Sequence, residues 1–190
     1  MLSALIRRAT APASGEPFAQ VGALPYQIVD GHVVFLLVTS RRTGRWIYPK
    51  GSVIDGMTPQ ESAACEALEE AGVEGRIWQE PIGTYDTVKI KGVTRTPLRV
   101  TVYPLEVTQQ LDPWKEAGQR HRHWALLAEA RRLLSEPRLS EITKDLHDHL
   151  RKHGAGQVRK DSAMAGAKGN ALAEKANDLD QKSAKTLIKR

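Results

Sequence analysis

Between Thr58 and Val73 the chain reads TPQESAACEALEEAGV, a stretch that leaves little choice of local structure. Thr58 can accept from the amide three residues on, Pro59 suits the first helical position, and Glu61 completes a capping box. Gly72 supplies the left-handed residue that stops a helix. Ala64, Ala67, Leu68 and Ala71 recur at helical spacing and predict a buried stripe, small enough to let the helix pack close to a sheet. The helix is expected to run to about Ala71, and it carries three carboxylates. Glu66 stands three residues from Glu69 and four from Glu70, spacings that make side chains neighbours on a helix surface. No lysine sits on the helix at the spacing that would neutralise them.

Repulsion among three gathered carboxylates has two resolutions: a solvated acidic face, or a cation among them. Hard divalent cations prefer oxygen ligands, and Mg2+ typically takes a few carboxylates together with waters and substrate phosphates. The flanks favour the cation. Trp46-Ile47-Tyr48-Pro49-Lys50-Gly51 is a short apolar run ending in a loop, where Gly51 lets the backbone approach a ligand or metal. A loop glycine, a fourteen-residue gap and then Glu66-x-x-Glu69-Glu70-x-Gly72 is far more specific than a pair of glutamates.

Around this helix the chain mixes strands and helices. QVGALPY and HVVFLLVTS read as strands, with Asp30-Gly31 as the turn between them. RTPLRVTVYPLEV reads as a long strand in which Arg99, Thr101 and Tyr103 alternate with Val100 and Val102. WALLAEARRLLSE and LSEITKDLHDHLRKHG read as helices, the second stopping near Gly154. The irregular order of strands and helices argues against a doubly wound parallel sheet and for an α+β fold. The 190 residues suit one domain, expected over 17–152, with a flexible extension over 1–16.

Residues 153–190 hold eight Lys and Arg against four Asp and Glu and no aromatic residue. They cannot bury enough apolar surface to offset their ordering entropy, and are expected to form a basic, disordered tail. Most of the formal net charge of +6 therefore lies outside the folded domain. The tail reads as solubilising, with weak polyanion binding as the sharper alternative; without interleaved aromatics, nucleic acid is not the expected partner. At the other end Arg7 and Arg8 follow the apolar patch, the reverse of a signal peptide, so a transit peptide is the alternative to a plain extension. No apolar run approaches the roughly 20 residues that span a bilayer. The lone Cys65 rules out an intramolecular disulfide and a thiolate metal site, and fits a reducing cytoplasm.

On these residues the chain resembles the Nudix hydrolases, whose pattern is GX5EX7REUXEEXGU with U apolar. It matches at Gly51, Glu66, Ala67, Glu69, Glu70, Gly72 and Val73. It departs at Met57, where the first Glu is expected, and at Cys65, where Arg is expected. In the family those two support each other by charge pairing, and their joint absence leaves no orphan charge. The resemblance covers about residues 18–135. It is most like the diphosphoinositol polyphosphate phosphohydrolase type, through LLVTSRRTGRWIYPKG before the helix and RVTVYPLEVTQQLDPWKEAGQRHRHW after it.

The resemblance implies a mixed β-sheet packed between helices, an α/β/α sandwich within the α+β class. It implies a Mg2+-dependent enzyme, with Mn2+ as a substitute, that cleaves a pyrophosphate linkage by in-line attack of water. Glu66, Glu69 and Glu70 would be the catalytic carboxylates and metal ligands, with the Gly51 carbonyl as a further ligand; any one glutamate could be the general base. Glu116 is a further acid, weighed against a plain surface role. Arg41, Arg42, Arg45, Lys50, Arg99 and Arg122 would bind the phosphates of a small-molecule substrate, with Lys89, Lys91 and Arg120 as lesser cations.

The substrate class stays double. Phe18-Ala19-Gln20-Val21 carries no basic residue where inositol-specific relatives do, so a dinucleoside polyphosphate stands beside a diphosphoinositol polyphosphate. Tyr26, Tyr85 or Trp46 could stack on a base, or simply pack. His121 and His123 are expected in structural or phosphate-contact roles, and Cys65 as a packing residue. The alternative from another class is a Nudix-fold binding or sensor module without catalysis, motivated by Met57 and Cys65. No oligomeric state is implied.

Overall fold

The computed structural model describes residues 16–163; the expected N-terminal extension before residue 16 and the tail beyond 163 lie outside the described residues. The elements run β1 (Phe18–Val29), β2 (His32–Thr39), β3 (Trp46–Ile47), β4 (Lys50–Gly51), α1 (Pro59–Ala71), β5 (Val73–Ile77), β6 (Gly83–Lys91), β7 (Thr94–Gln110), β8 (Arg122–Leu126), α2 (Leu127–Leu133) and α3 (Pro137–Ala163). Among the described residues eight strands form one sheet, with the central order β3-β2-β1-β7-β5.

Asp30 and Gly31 both take positive φ, 49° and 77°, so the hairpin joining β1 to β2 has the turn handedness that suits the twist of paired strands. β1 and β7 run parallel from Phe18↔Leu98 to Tyr26↔Glu106, while every other strand-to-strand ladder among the described residues is antiparallel. A parallel pair needs a long crossover, and the chain between β1 and β7 supplies it with α1. Two strands share the other edge of β7. β6 pairs with Thr94–Val102, and β5 pairs with Leu105–Gln110 through an irregularity between Glu74 and Gly75.

Helices cover both faces of this mixed sheet, giving the α+β layering expected. Under α2 and α3 the side chains are large: Leu24, Tyr26, Phe35, Val100, Leu139, Ile142 and Leu146 form one cluster. Under α1 they are small on the helix side, with Ala63, Ala67 and Ala71 fully buried against Val21, Ala23, Leu36, Tyr103 and Leu105. Alanine bulk is slight, so α1 lies close to the sheet, and its next residues, Glu66 and Glu70, reach β4.

Two boundaries differ from the expectation. Trp124, Ala125 and Leu126 belong to β8 and pair with Leu36, Phe35 and Val34 of β2, so the helix begins only at Leu127. Cross-strand pairing beside a buried central strand overrides the helical pattern of WALLAEARR. α3 also passes Gly154, where a stop was expected, and is helical to Ala163, the last described residue. No proline interrupts it there, and extending a formed helix costs far less than nucleating one.

Candidate active site

The helix is built as its sequence dictates. Thr58 accepts from the Glu61 amide, the Glu61 side chain accepts from the Thr58 amide, and Pro59 occupies the first turn. Such a cap stabilises a helix by about 1 kcal/mol. Gly72 closes the far end with φ 64° and its N–H on the carbonyl of Leu68. The buried face is not the apolar stripe alone. Ser62, Ala63, Glu66, Ala67, Glu70 and Ala71 are buried, while Ala64 and Leu68 are only partly covered. Two of the three acids therefore lie on the inward side, Glu66 at 1% and Glu70 at 7% exposure.

Sheet pairing holds β4 in place, and two hydrogen bonds tie α1 to β4 and the loop after it. Gly51 and Lys50 pair with Val21 and Gly22 of β1. The Ile54 amide donates to Ser62 Oγ at 3.0 Å, and the Lys50 amide donates to Glu70 Oε2 at 3.2 Å. A Cβ on Gly51 would overlap the Glu66 carboxylate, so any side chain there would have to displace it. Cys65 Sγ lies 3.7 Å from Met57 Sδ. The two departures from the family pattern thus meet in space, as a sulfur contact in place of an ion pair.

The loop between β7 and β8 clasps the other end of the helix. Leu111 N–H donates to the Gly72 carbonyl at 2.8 Å, Trp114 Nε1 to the Glu70 carbonyl at 3.2 Å, and Arg122 Nη1 to the Ala71 carbonyl at 3.1 Å. Arg122 also donates to the Leu111 carbonyl, and its guanidinium lies 4.0 Å over the Trp114 ring. Two of the carbonyls the helix end leaves over, those of Glu70 and Ala71, are thus taken by this loop and the start of β8.

The same loop carries charge onto the acids. Lys115 Nζ pairs with Glu69 at 2.9 Å. Arg120 is buried and forks between two carboxylates: Nη2 donates to Glu70 Oε1, and Nε to Glu116 Oε2 at 2.5 Å. Its Nη1 donates to the Thr39 carbonyl at 2.8 Å. Arg41 Nη1 donates to Glu116 Oε1 at 3.1 Å. Burial pushes the Glu70 carboxyl above the usual glutamate range, and the charges of Arg120 and Lys50 oppose that push. Burial likewise lowers Lys50 from the usual lysine value, against the pull of Glu70.

The structure thus brings together Gly51, Lys50, Glu66, Glu70, Glu116, Arg120 and Arg41, with Glu69 beside them on Lys115. Lys89 lies near enough for its charge to act on Lys50, while Arg42, Arg45, Arg99 and Arg122 stand elsewhere. Arg42 and Arg45 are exposed on the Ser40–Arg45 turn. Arg99 follows the α1 face by strand parity with Tyr103 and Leu105, and is held at 2.8 and 3.0 Å by Asp86. Arg122 is committed to the carbonyls of Ala71 and Leu111. Tyr26 and Tyr85 are core residues, and Trp46 packs against the same cluster. His123 contacts Glu129 at 3.1 Å and lies with its ring tilted 51° against Trp46, contacts that favour its structural reading.

Sequence reasoning ranked Arg120 below Arg122 and did not single out Lys115. The one available signal was the four-residue spacing of Glu116 and Arg120, which the structure uses as an ion pair.

Whether this donor set suits a divalent metal can be judged from its chemistry. Glu66, Glu69 and Glu70 supply hard oxygens, and the glycine cradle at position 51 leaves the Glu66 carboxylate against bare backbone. These donors fit a hard cation by type. In the arrangement described, no group of three His, Cys, Asp or Glu side chains is placed to share one ion among the described residues. Protein cations hold Glu69, Glu70 and Glu116 instead.

Comparison with known proteins gives a consistent result. The family model described as NUDIX domain matches residues 19–146. "Nudix hydrolase 12, mitochondrial" of Arabidopsis thaliana is 27% identical over 163 residues, covering 75% of this chain and 80% of the relative. "Diphosphoinositol polyphosphate phosphohydrolase 2" of Rattus norvegicus is 33% identical over 103 residues, covering 53% of this chain and 54% of the relative, so the match spans about half of that protein. Among solved structures, a C. elegans Ap4A hydrolase binary complex superimposes with a TM-score of 0.54 at 18% identity, covering 70% of this chain and 98% of that one.

Proposed function

From the premise that the chain belongs to the NUDIX domain family and is a Nudix pyrophosphohydrolase, we propose that it hydrolyses a phosphorylated pyrophosphate compound. The substrate class is a diphosphoinositol polyphosphate or a dinucleoside polyphosphate. The observation that carries the reading is the Gly51 backbone laid directly against the buried Glu66 carboxylate, so closely that a side chain on residue 51 would collide with it. Hydrolases of this family generally use divalent metals. The ligands proposed for Mg2+ are Glu66, Glu69, Glu70 and the Gly51 carbonyl.

Bound there, Mg2+ would supply Lewis acidity toward a phosphate oxygen and toward the attacking water. The protein's own groups do the rest. Lys50, on β4 with its amide on Glu70, and Arg41, on the rim beside Glu116, are the cations proposed to orient the phosphates, since Lys115 and Arg120 are already paired with the acids. Arg99 lies on the α1 face and can turn from Asp86 toward a long polyphosphate, since that pair is exposed and weakly held. Arg42 and Arg45 extend the positive rim. The fastened helix keeps Glu66 and Glu70 from relaxing when charge develops, the preorganisation on which electrostatic catalysis depends.

The two substrate classes match the printed names of the rat relative and the nematode structure respectively. A panel of diphosphoinositol polyphosphates, dinucleoside polyphosphates, nucleoside diphosphate sugars and nucleoside triphosphates, run with Mg2+ beside Glu70→Gln, tests the reading. Turnover of one class by the wild type and its loss in the variant supports it. No turnover of any class, with tight binding of one, replaces the enzyme with a sensor module. The sulfur contact of Met57 and Cys65 is the observation that keeps that second reading in view.

No described helix is long and apolar enough to cross a membrane. A cytoplasmic location is the proposal from the single cysteine; imaging a tagged chain with and without residues 1–16 separates it from an organelle address.

A further inference from the structure

We propose that Arg120 is an internal counter-ion that competes with the divalent metal for Glu70 and Glu116, and so sets the metal affinity of the site. This rests on the functional reading above. It concerns a residue outside the helix and outside the family pattern that reading used.

The Arg120 side chain is 4% exposed, and three of its nitrogens are engaged. Two of them hold Glu70 Oε1 and Glu116 Oε2, and the third holds the Thr39 carbonyl. The remaining oxygen of Glu70 accepts from the Lys50 amide, and that of Glu116 from Arg41. All four oxygens of this carboxylate pair therefore face protein N–H donors. A guanidinium fork between two acids places a positive charge where an ion bridging them would sit. A divalent cation approaching Glu70 meets that charge at short range, where burial weakens screening.

Glu69 differs. Its partner Lys115 is 54% exposed, and a half-solvated lysine pair holds its acid by only about 0–1 kcal/mol. Glu69 can exchange its partner for a metal with little loss, whereas Glu70 must be taken from a buried fork. The loop around Arg120 need not open for this. It stays tied through Leu111, Trp114 and Arg122, while Arg41 at 56% exposure is free to follow Glu116.

The test is metal binding by the full chain without substrate, followed by calorimetry with Mn2+ and Mg2+ for wild type and Arg120→Met. The expected result is a Kd at least about tenfold tighter in the variant, the scale of removing one charge from beside a divalent ion near a protein surface. The metal-induced rise in Tm should also be larger in the variant. An unchanged or weaker Kd overturns the proposal and leaves Arg120 as a holder of its ligands.

Because Arg120→Met strands two buried carboxylates and can fail to fold, a second measurement uses the wild type alone. The Arg120 Nε–Hε resonance, identified by its absence in Arg120→Lys, should be protected from exchange without metal. Saturating Mg2+ should shift it and speed its exchange. A resonance that stays fixed while the Lys50 and Gly51 amides shift overturns the competition. Absence of cation binding and of turnover in the wild type would instead defeat the functional reading, and this inference with it.

Discussion

Gly51 and Glu66, fifteen residues apart in sequence, touch so closely that a β-carbon on the first would occupy the carboxylate of the second. β4 holds Gly51 through its pairing with Val21, and the alanines of α1 bring Glu66 down to it. Gly51→Ala should therefore displace the carboxylate, with a stability loss of about 1–3 kcal/mol from overpacking. Turnover should fall by at least about a hundredfold, the loss a misplaced group of about 1 Å can bring. Denaturant melts beside steady-state rates check both. Wild-type kinetics in the variant would remove the cradle from the site.

Met57 and Cys65 form one unit, and their replacement should be non-additive. Met57→Glu alone and Cys65→Arg alone each place a lone charge at a half-buried position and should cost about 1 kcal/mol. Together they can pair, and a coupling of about 0.5–1 kcal/mol is expected in a double-mutant cycle. Urea unfolding of the four proteins measures it. Strict additivity would mean that the two positions do not meet.

Arg122 fastens the β7–β8 loop to the end of α1. Arg122→Lys keeps the charge but loses the planar guanidinium whose Nη1 donates to both the Ala71 and Leu111 carbonyls while it lies over Trp114. A stability loss of about 1–3 kcal/mol is expected, with KM for the substrate nearly unchanged. A raised KM at unchanged stability would show that Arg122 serves the substrate instead.

All four tyrosines are held above the ordinary phenol value of 10.0, chiefly by burial. A raised folded pKa gives stability that is intact below the unfolded value and is lost as pH rises toward the folded one. Above about pH 10 the unfolded chain sheds tyrosyl protons that the fold retains, so stability should drop by at most about 4 kcal/mol per pH unit for Tyr26, Tyr48 and Tyr85 together. Tyrosinate absorbance should then rise in step with loss of near-ultraviolet circular dichroism. A separate absorbance step near pH 10 in the folded protein would contradict the burial of these rings.

The helix was legible in the sequence down to its cap, because capping, proline placement and a glycine stop act over a few residues. The β1–β2 turn was legible for the same reason. The motif positions Gly51, Glu66, Glu69 and Glu70 were legible as a group because their spacing is itself the signal. Trp124–Leu126 was misread as helix because the partner that makes it a strand, β2, lies some ninety residues away.

Local sequence determined that three acids would sit on one helix, and that something must compensate them. It could not determine what does so. Lys115 and Arg120 reach those acids only because β7 runs parallel to β1 and delivers its following loop to the end of α1. Ion pairing depends on distance through space, and the separations of 46 residues for Lys115 from Glu69 and 50 for Arg120 from Glu70 carry no periodic signal along the chain. Only the packed sheet decided that an arginine from the far loop, and not a lysine one helical turn away, would lie between Glu70 and Glu116.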